Sequence, residues 1–300
     1  MAPTLGDRAA YSAYRLGSGV ARPVPPRIAV PVARRVARGL GHAMRARRAQ
    51  VARNLERIVG PLPDAERDAR ISKTFENYGR YWYELFRLPS EQPDALREQF
   101  LADGYERLVE ALADGRGAIA AVPHVGGWDF GGAWFAARGL PLTVVVEPVQ
   151  PPELFDWFVQ QRTRLGMEVV PLGSDAGARV ARALSENRVV ALLSDRDLTN
   201  DGVPVDFFGE RTTMPGGPAL LALRTGAPIL PTAVYFEPGQ MHTGFVQPPV
   251  AAERRGSVRA DVLRITQDLA GRFESLIRAE PEQWFVLQPN WPSDRRGDEQ

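Results

Sequence analysis

Pro123-His124-Val125-Gly126-Gly127-Trp128-Asp129 places a histidine and an aspartate with four residues between them, across a turn rich in glycine. An imidazole is well suited to take a proton from a hydroxyl near neutral pH. A carboxylate that accepts from one ring nitrogen fixes the tautomer and leaves the other nitrogen free. The spacing predicts that the turn folds His124 back over the first helical residues, where Asp129 orients it. Gly126 and Gly127 are expected to leave backbone N–H groups open at a helix N-terminus, for a developing oxyanion or a phosphate. A plain hydrogen-bonded core histidine fits the same spacing.

A second charged group, Ser194-Asp195-Arg196-Asp197, follows another apolar run. Three successive charged residues cannot all be buried without partners, so the mouth of a sheet is their natural place, with a solvated surface turn as the alternative. Either Asp195 or Asp197 is the substitute partner for His124 if Asp129 does not serve. Glu147 closes the run Leu142–Val146, and Arg162 and Arg164 lie in the helix that starts near Pro152. These three are candidates for phosphate or sugar contacts. Phe207 and Phe208 read either as core or as the wall of an apolar channel.

Several chemistries drop out. The chain has no cysteine, hence no disulfide, thiolate metal site or cysteine nucleophile. Lys73 is its only lysine, which sets Schiff-base chemistry aside. His42 and His242 lie in contexts without a nearby acid, and no second histidine arrives at ligand spacing, so no metal site is predicted. There is no G-x-S-x-G elbow for a serine nucleophile.

The elements that must position these residues follow from periodicity. Short apolar runs, Ala118–Val122, Leu142–Val146, Glu168–Pro171, Val189–Ser194 and Ile229–Phe236, are separated by helix-length segments. That alternation predicts an α/β fold with a mostly parallel central sheet flanked by helices, and a ligand at the carboxyl ends of the strands. Residues 64–88, 94–113 and 259–279 read as helices. The first carries the aromatic group Tyr78, Tyr81, Trp82, Tyr83 and Phe86, which is either core or the rim of a lipid or sugar site.

Charge is uneven along the chain. Residues 1–60 hold twelve arginines against Asp7 and Glu56, a net +10, so the remainder carries −9 within a chain of net +1. After Pro31, Val32, Ala33, Val36, Leu40 and Met44 recur at helical spacing, with Arg34, Arg38 and Arg45 assigned to the opposite face. This basic amphipathic helix is either packed on the domain or lies on an anionic membrane surface. No helix-turn-helix, zinc finger or RNA-binding sheet signature accompanies the charge, so nucleic acid is not the expected partner. The organisation expected is a basic membrane-proximal segment over 1–60, an α/β domain over 61–290 and a mobile charged tail over 291–300. No stretch has the roughly 18 apolar residues of a membrane span, and no signal peptide is evident.

Taken in order, Arg47–Leu55, Thr74–Glu84, Pro123–Asp129, Ser194–Asp197 and Phe207–Pro231 resemble the bacterial lipid A biosynthesis acyltransferases. Pro-His-Val-Gly-Gly-Trp-Asp and Asp-Arg-Asp-Leu-Thr look most like the branch that acylates phosphatidylinositol mannosides. The resemblance implies a glycerolipid-acyltransferase-like fold and a catalytic pair of His124 and Asp129. It also implies transfer of a long acyl group, typically palmitoyl, from acyl-coenzyme A to a mannose hydroxyl at the inner leaflet of the cell membrane. No cofactor is implied, acyl-coenzyme A being a co-substrate. A lipid A-type enzyme fed by acyl-carrier protein, an acyl thioesterase and a non-catalytic lipid-binding protein are the alternatives.

Overall fold

A computed structural model describes residues 5–296 of the chain. Its first elements are helices α1 (Leu5–Ala21), α2 (Pro26–Ala43), α3 (Arg45–Val59), α4 (Asp64–Arg87) and α5 (Pro93–Glu98). Then come β1 (Phe100–Asp103), α6 (Tyr105–Ala113), β2 (Ala118–Val122), α7 (Trp128–Ala137), β3 (Leu142–Val146), α8 (Pro152–Arg164) and β4 (Met167–Pro171). The chain continues through α9 (Ala176–Ser185), β5 (Val189–Leu193), β6 (Val203–Phe207), β7 (Glu210–Met214), α10 (Gly217–Thr225), β8 (Ile229–Phe236) and β9 (His242–Val246). It closes with α11 (Val258–Ala279) and the single turn α12 (Pro292–Arg296).

Seven strands form one sheet in the order β1-β9-β8-β2-β5-β3-β4. β8, β2, β5, β3 and β4 are mutually parallel, and only the edge pair β9 and β1 runs the other way. All five residues of β2 are buried, as an apolar run covered on both faces requires. Its pleat sends Ile119 and Ala121 into a core with α9, α10 and α11, and Ala118, Ala120 and Val122 into one with α6 and α7. The predicted α/β architecture and five of its strands are thus realised.

Two local expectations change, over residues 94–113 and after Trp291. Residues 94–113 are not one helix: Gly104 takes φ +74°, a left-handed conformation that breaks the segment, and Phe100–Asp103 pairs with β9 instead. Phe208 and Gly209 both have positive φ, which turns β6 back on β7 as a hairpin. The segment after Trp291, expected to be mobile, starts with α12. It is held because the buried Asp294 carboxylate accepts from Gln50 (2.7 Å) and Arg53 (3.2 Å), and pairs with Arg57 (2.8 Å). Residues 297–300 of that tail, and 1–4 of the basic segment, lie outside the described residues.

Helix α2 packs on α4 through small residues. A Cβ on Gly79 would come within 2.6 Å of the Ala33 carbonyl oxygen and 2.5 Å of the Ala37 Cβ, so only glycine lets α2 lie this close. The large apolar residues of α2 consequently point outward. Leu16 and Val20 of α1 and Ile28, Val32, Val36 and Leu40 of α2 are each more than half exposed. Arg34 is half-buried and Arg38 reaches Glu76 at 3.3 Å. Of the two readings of this helix, the one that packs the valine and leucine stripe on the domain is not adopted, because the close approach selects Ala33, Ala37 and Gly41.

Candidate active site

Two neighbouring parallel strands assemble the site. Val122 of β2 is in register with Leu193 of β5, and the residues two further along each strand are His124 and Asp195. The His124 Nδ1 lies 2.6 Å from Asp195 Oδ1, and the His124 backbone N–H donates to Asp195 Oδ2 at 2.9 Å. The Trp284 indole N–H donates to the same Oδ2 at 2.7 Å. Asp195 is fully buried. Burial pushes its carboxyl up, but the adjacent His124 and the hydrogen bonds from His124 and Trp284 outweigh it and hold the group below the ordinary carboxylate range. The Nε2 of His124 has no protein partner among the described residues, and the side chain keeps 22% of its exposure.

Asp129, the expected partner, is engaged elsewhere. Arg162 donates to its Oδ1 from Nε (3.0 Å) and pairs with it through a terminal nitrogen at 2.7 Å, and the Tyr81 hydroxyl donates to Oδ2 at 3.0 Å. Burial, then the neighbouring Asp129 charge, push the Tyr81 phenol well above its ordinary value, so it remains a donor. The H-x4-D spacing therefore forms an arginine-clamped carboxylate beside the histidine rather than its orienting acid.

Gly126 and Gly127 also differ from expectation. Their N–H groups donate to the carbonyls of Gln283 and Val234, both at 2.9 Å, so neither is open to an oxyanion. Gly126 has φ +61°, and a Cβ there would stand 2.0 Å from the Val234 carbonyl oxygen. Asp197 lies apart, tied into its own loop by the N–H groups of Thr199, Asn200 and Gly202 and by the Thr213 hydroxyl. Those bonds offset its burial and hold its carboxyl low. Arg196 is half-buried with no side-chain partner among the described residues; Arg164 and Glu147 are exposed.

Beneath α7 lies an apolar cavity of about 200 Å³. Trp128, Asp129, Glu147 and Arg162 form one end, and Phe100, Tyr105, Leu108 and Trp134 line the region toward α6. His124 stands against Trp128, with ring centres 5.5 Å apart. Phe207 and Phe208 are not part of it. They pack with Trp284 and Trp291 in the core on the opposite face of the sheet. Of the five α4 aromatics singled out in the sequence, Tyr81 and Tyr83 are buried, and Tyr81 packs on Trp128 at 4.3 Å. The group is core and rim at once. No three His, Asp or Glu side chains converge as a metal cradle among the described residues.

The strap after α11 went unread in the sequence. Gln283, Trp284 and Phe285 run antiparallel to the histidine turn, with Phe285 N–H on the His124 carbonyl at 2.8 Å and a Val125–Trp284 bridge. Asn290 Nδ2 reaches the Asp195 carbonyl at 3.3 Å. The run Trp284-Phe285-Val286-Leu287 was its visible signal, an apolar cluster too short for a helix. His242 also has an acid that sequence proximity hid, Glu84, at 2.8 Å.

The family model for bacterial lipid A biosynthesis acyltransferase matches residues 8–293. A phosphatidylinositol mannoside acyltransferase of Mycolicibacterium smegmatis is 40% identical over 299 residues, covering 97% of this chain and 94% of that protein. One from Mycobacterium tuberculosis is 43% identical over 252 residues, 82% of this chain and 77% of the other. A lipid A biosynthesis acyltransferase of Haemophilus influenzae is 25% identical over 182 residues, 59% and 56% of the two chains.

Proposed function

Since the chain belongs to the bacterial lipid A biosynthesis acyltransferase family, we propose that it transfers a long acyl group from acyl-coenzyme A to a mannose hydroxyl of a phosphatidylinositol mannoside. The observation that carries this reading is the His124–Asp195 pair beside the polar end of an apolar cavity. His124 Nε2 takes the proton of the attacking hydroxyl, while Asp195 holds the Nδ1–H tautomer and stabilises the imidazolium. The hydroxyl oxygen bonds to the thioester carbonyl carbon, giving a tetrahedral oxyanion. Collapse breaks the C–S bond, and the imidazolium proton passes to the leaving thiolate. No enzyme-bound acyl group is needed. The acyl tail occupies the cavity, gaining about 0.8 kcal/mol per buried methylene. Asp129 holds Arg162 at the mouth, where the guanidinium, with Glu147, faces the polar groups of either substrate.

Charge favours the coenzyme A thioester as donor. Carrier proteins are acidic and dock on basic faces, whereas residues beyond 60 sum to −9. The test is an incubation of the purified protein with mannosides and either palmitoyl-coenzyme A or palmitoyl carrier protein, the lipids being read by mass spectrometry. Acylated mannoside from the coenzyme A thioester supports the reading. Preference for the carrier protein, or free acid formed at the same rate without mannoside, overturns it.

On this reading the protein meets its acceptor at the cytoplasmic face of the cell membrane; no helix among the described residues is long and apolar enough to cross one. The outward stripe of Ile28, Val32, Val36 and Leu40, continued by Leu16 and Val20, suits shallow insertion flanked by Arg35 and Arg38. Val36→Gln with Leu40→Gln should release the protein from anionic vesicles in flotation. Arg35→Gln with Arg38→Gln should weaken binding mainly at low salt. Flotation unaffected by both pairs refutes this surface.

A further inference from the structure

We propose that Trp284 is a positioning residue of the reaction: its indole N–H fixes Asp195 in the one orientation that faces His124. The inference rests on the reading of His124 as general base. Asp195 lies two residues beyond β5 and would be free to rotate about its side-chain bonds were its second oxygen unbound. That oxygen is held by two neutral donors of opposite origin, the His124 backbone N–H at 2.9 Å and the Trp284 indole at 2.7 Å. The first comes from the histidine turn itself. The second comes from a strap 89 residues further along the chain. With both in place, the Oδ1 lone pairs are aimed at Nδ1.

Trp284 is buried and lines neither the apolar cavity nor its mouth, so it acts only through Asp195. The strap is registered independently of the indole. Gly126 N–H bonds the Gln283 carbonyl, Phe285 N–H bonds the His124 carbonyl, and the Gln283 side chain accepts from Phe236 N–H at 2.7 Å and donates to its carbonyl at 3.1 Å. The tryptophan ring is therefore delivered by backbone pairing to the same turn that carries the histidine. Other charged groups around the pair have partners of their own. Asp129 is bound by Arg162 and Tyr81, Asp197 by its loop, Glu282 by Arg70 and Asp294 by Arg53 and Arg57. Glu147 and Arg196 remain without an ion pair among the described residues, and both stay unaltered in the variants below.

Neutral N–H donors lower the negative potential that Asp195 exerts on the imidazole. Without the indole N–H, the pair holds a proton more tightly, and the acid limb of the rate profile moves to higher pH. The experiment is kcat and KM against pH for Trp284→Phe, with His124→Ala as control. The expected result is a fall in kcat of about tenfold with KM within about twofold, and an acid limb shifted up by about half a pH unit. A loss equal at every pH, or none at all, overturns the proposal, because a packing role would not move the limb. If Trp284→Phe fails to fold, site-specific insertion of benzothienylalanine keeps the ring shape while replacing N–H by sulfur, and the same two outcomes decide. Full activity of His124→Ala would remove the general-base reading itself, whereas an inactive His124→Ala beside an unshifted Trp284→Phe sinks the inference alone.

Discussion

His124 and His242 each meet a carboxylate from a distant part of the chain, at 2.6 Å and 2.8 Å, yet the two pairs are built for different ends. Glu84, the partner of His242, also accepts from Arg80 Nε at 2.6 Å, and the Arg80 guanidinium is fully buried across the Phe236 ring. Its charge is already answered by a permanent cation. Asp195 is held by N–H groups of the His124 backbone and Trp284, so no permanent cation contacts it among the described residues. The outer nitrogens differ too. His124 keeps Nε2 toward the open end of the site, whereas the His242 ring is 1% exposed and stacked on Phe130 at 3.8 Å, with its Nδ1 buried and unpartnered. A histidine with an acid becomes a base only where the acid is otherwise uncompensated and the second nitrogen reaches substrate.

The most direct way to break this contrast is to truncate both histidines. His124→Ala should lower acyl transfer by about 10² to 10⁴ while thermal unfolding stays close to that of the parent, since the ring is partly exposed and packs little. His242→Ala should do the reverse. Loss of the stacked ring and of the Glu84 contact should cost about 2 to 5 kcal/mol in urea unfolding, with kcat within about tenfold. Equal loss of activity in both variants would show that the buried pair takes part in catalysis.

Amide substitutions sharpen the same contrast at smaller amplitude. Asp195→Asn keeps the shape but removes the charge and the tautomer preference, and should lower kcat by about 10² or more. Asp129→Asn should raise KM more than it lowers kcat, about tenfold in kcat/KM, because it releases Arg162 from the mouth rather than disarming the base. Glu84→Gln should leave the steady-state rate within about threefold, as Arg80 keeps its bonds to the carbonyls of Glu237 and Met241. A larger kinetic effect from Asp129→Asn than from Asp195→Asn would return the orienting role to the residue that sequence spacing favoured.

That spacing was a fair guide to the address and a poor one to the partner. The apolar runs at Ala118, Leu142, Val189 and Ile229 are legible because buried parallel strands need little else, and they bring out His124 and Asp195 as residues just beyond two of them. What no spacing encodes is strand order. Only the adjacency of β2 and β5 turns a separation of 71 residues into 2.6 Å, and only the antiparallel strap adds Trp284. The acid of His242 was missed for the same reason, 158 residues away on α4. Which face of α2 packs was left open for another reason: amphipathic periodicity gives the stripe, but Gly79 decides that alanines, not valines, are the side that packs.

The smallest expected effect concerns acid stability, and it separates the pairs by a different route. Burial pushes the Glu84 carboxyl up, but His242 and Arg80 beside it outweigh that, so its folded value is lower than its unfolded one. A group depressed in this way contributes stability that is present above the unfolded carboxylate value and is lost as pH falls through the folded value. Asp195 has the same sign. The melting temperature of the parent should therefore fall between about pH 5 and about pH 3. Glu84→Gln carries no such proton and should start lower at neutral pH but fall less steeply. Asp195→Asn should behave likewise while already inactive at neutral pH, so its activity and its acid slope come apart, whereas Glu84→Gln changes the slope alone. Melting curves across that range, set beside transfer rates at neutral pH, test this. A Glu84→Gln curve parallel to the parent would overturn the assignment of this acid slope to Glu84.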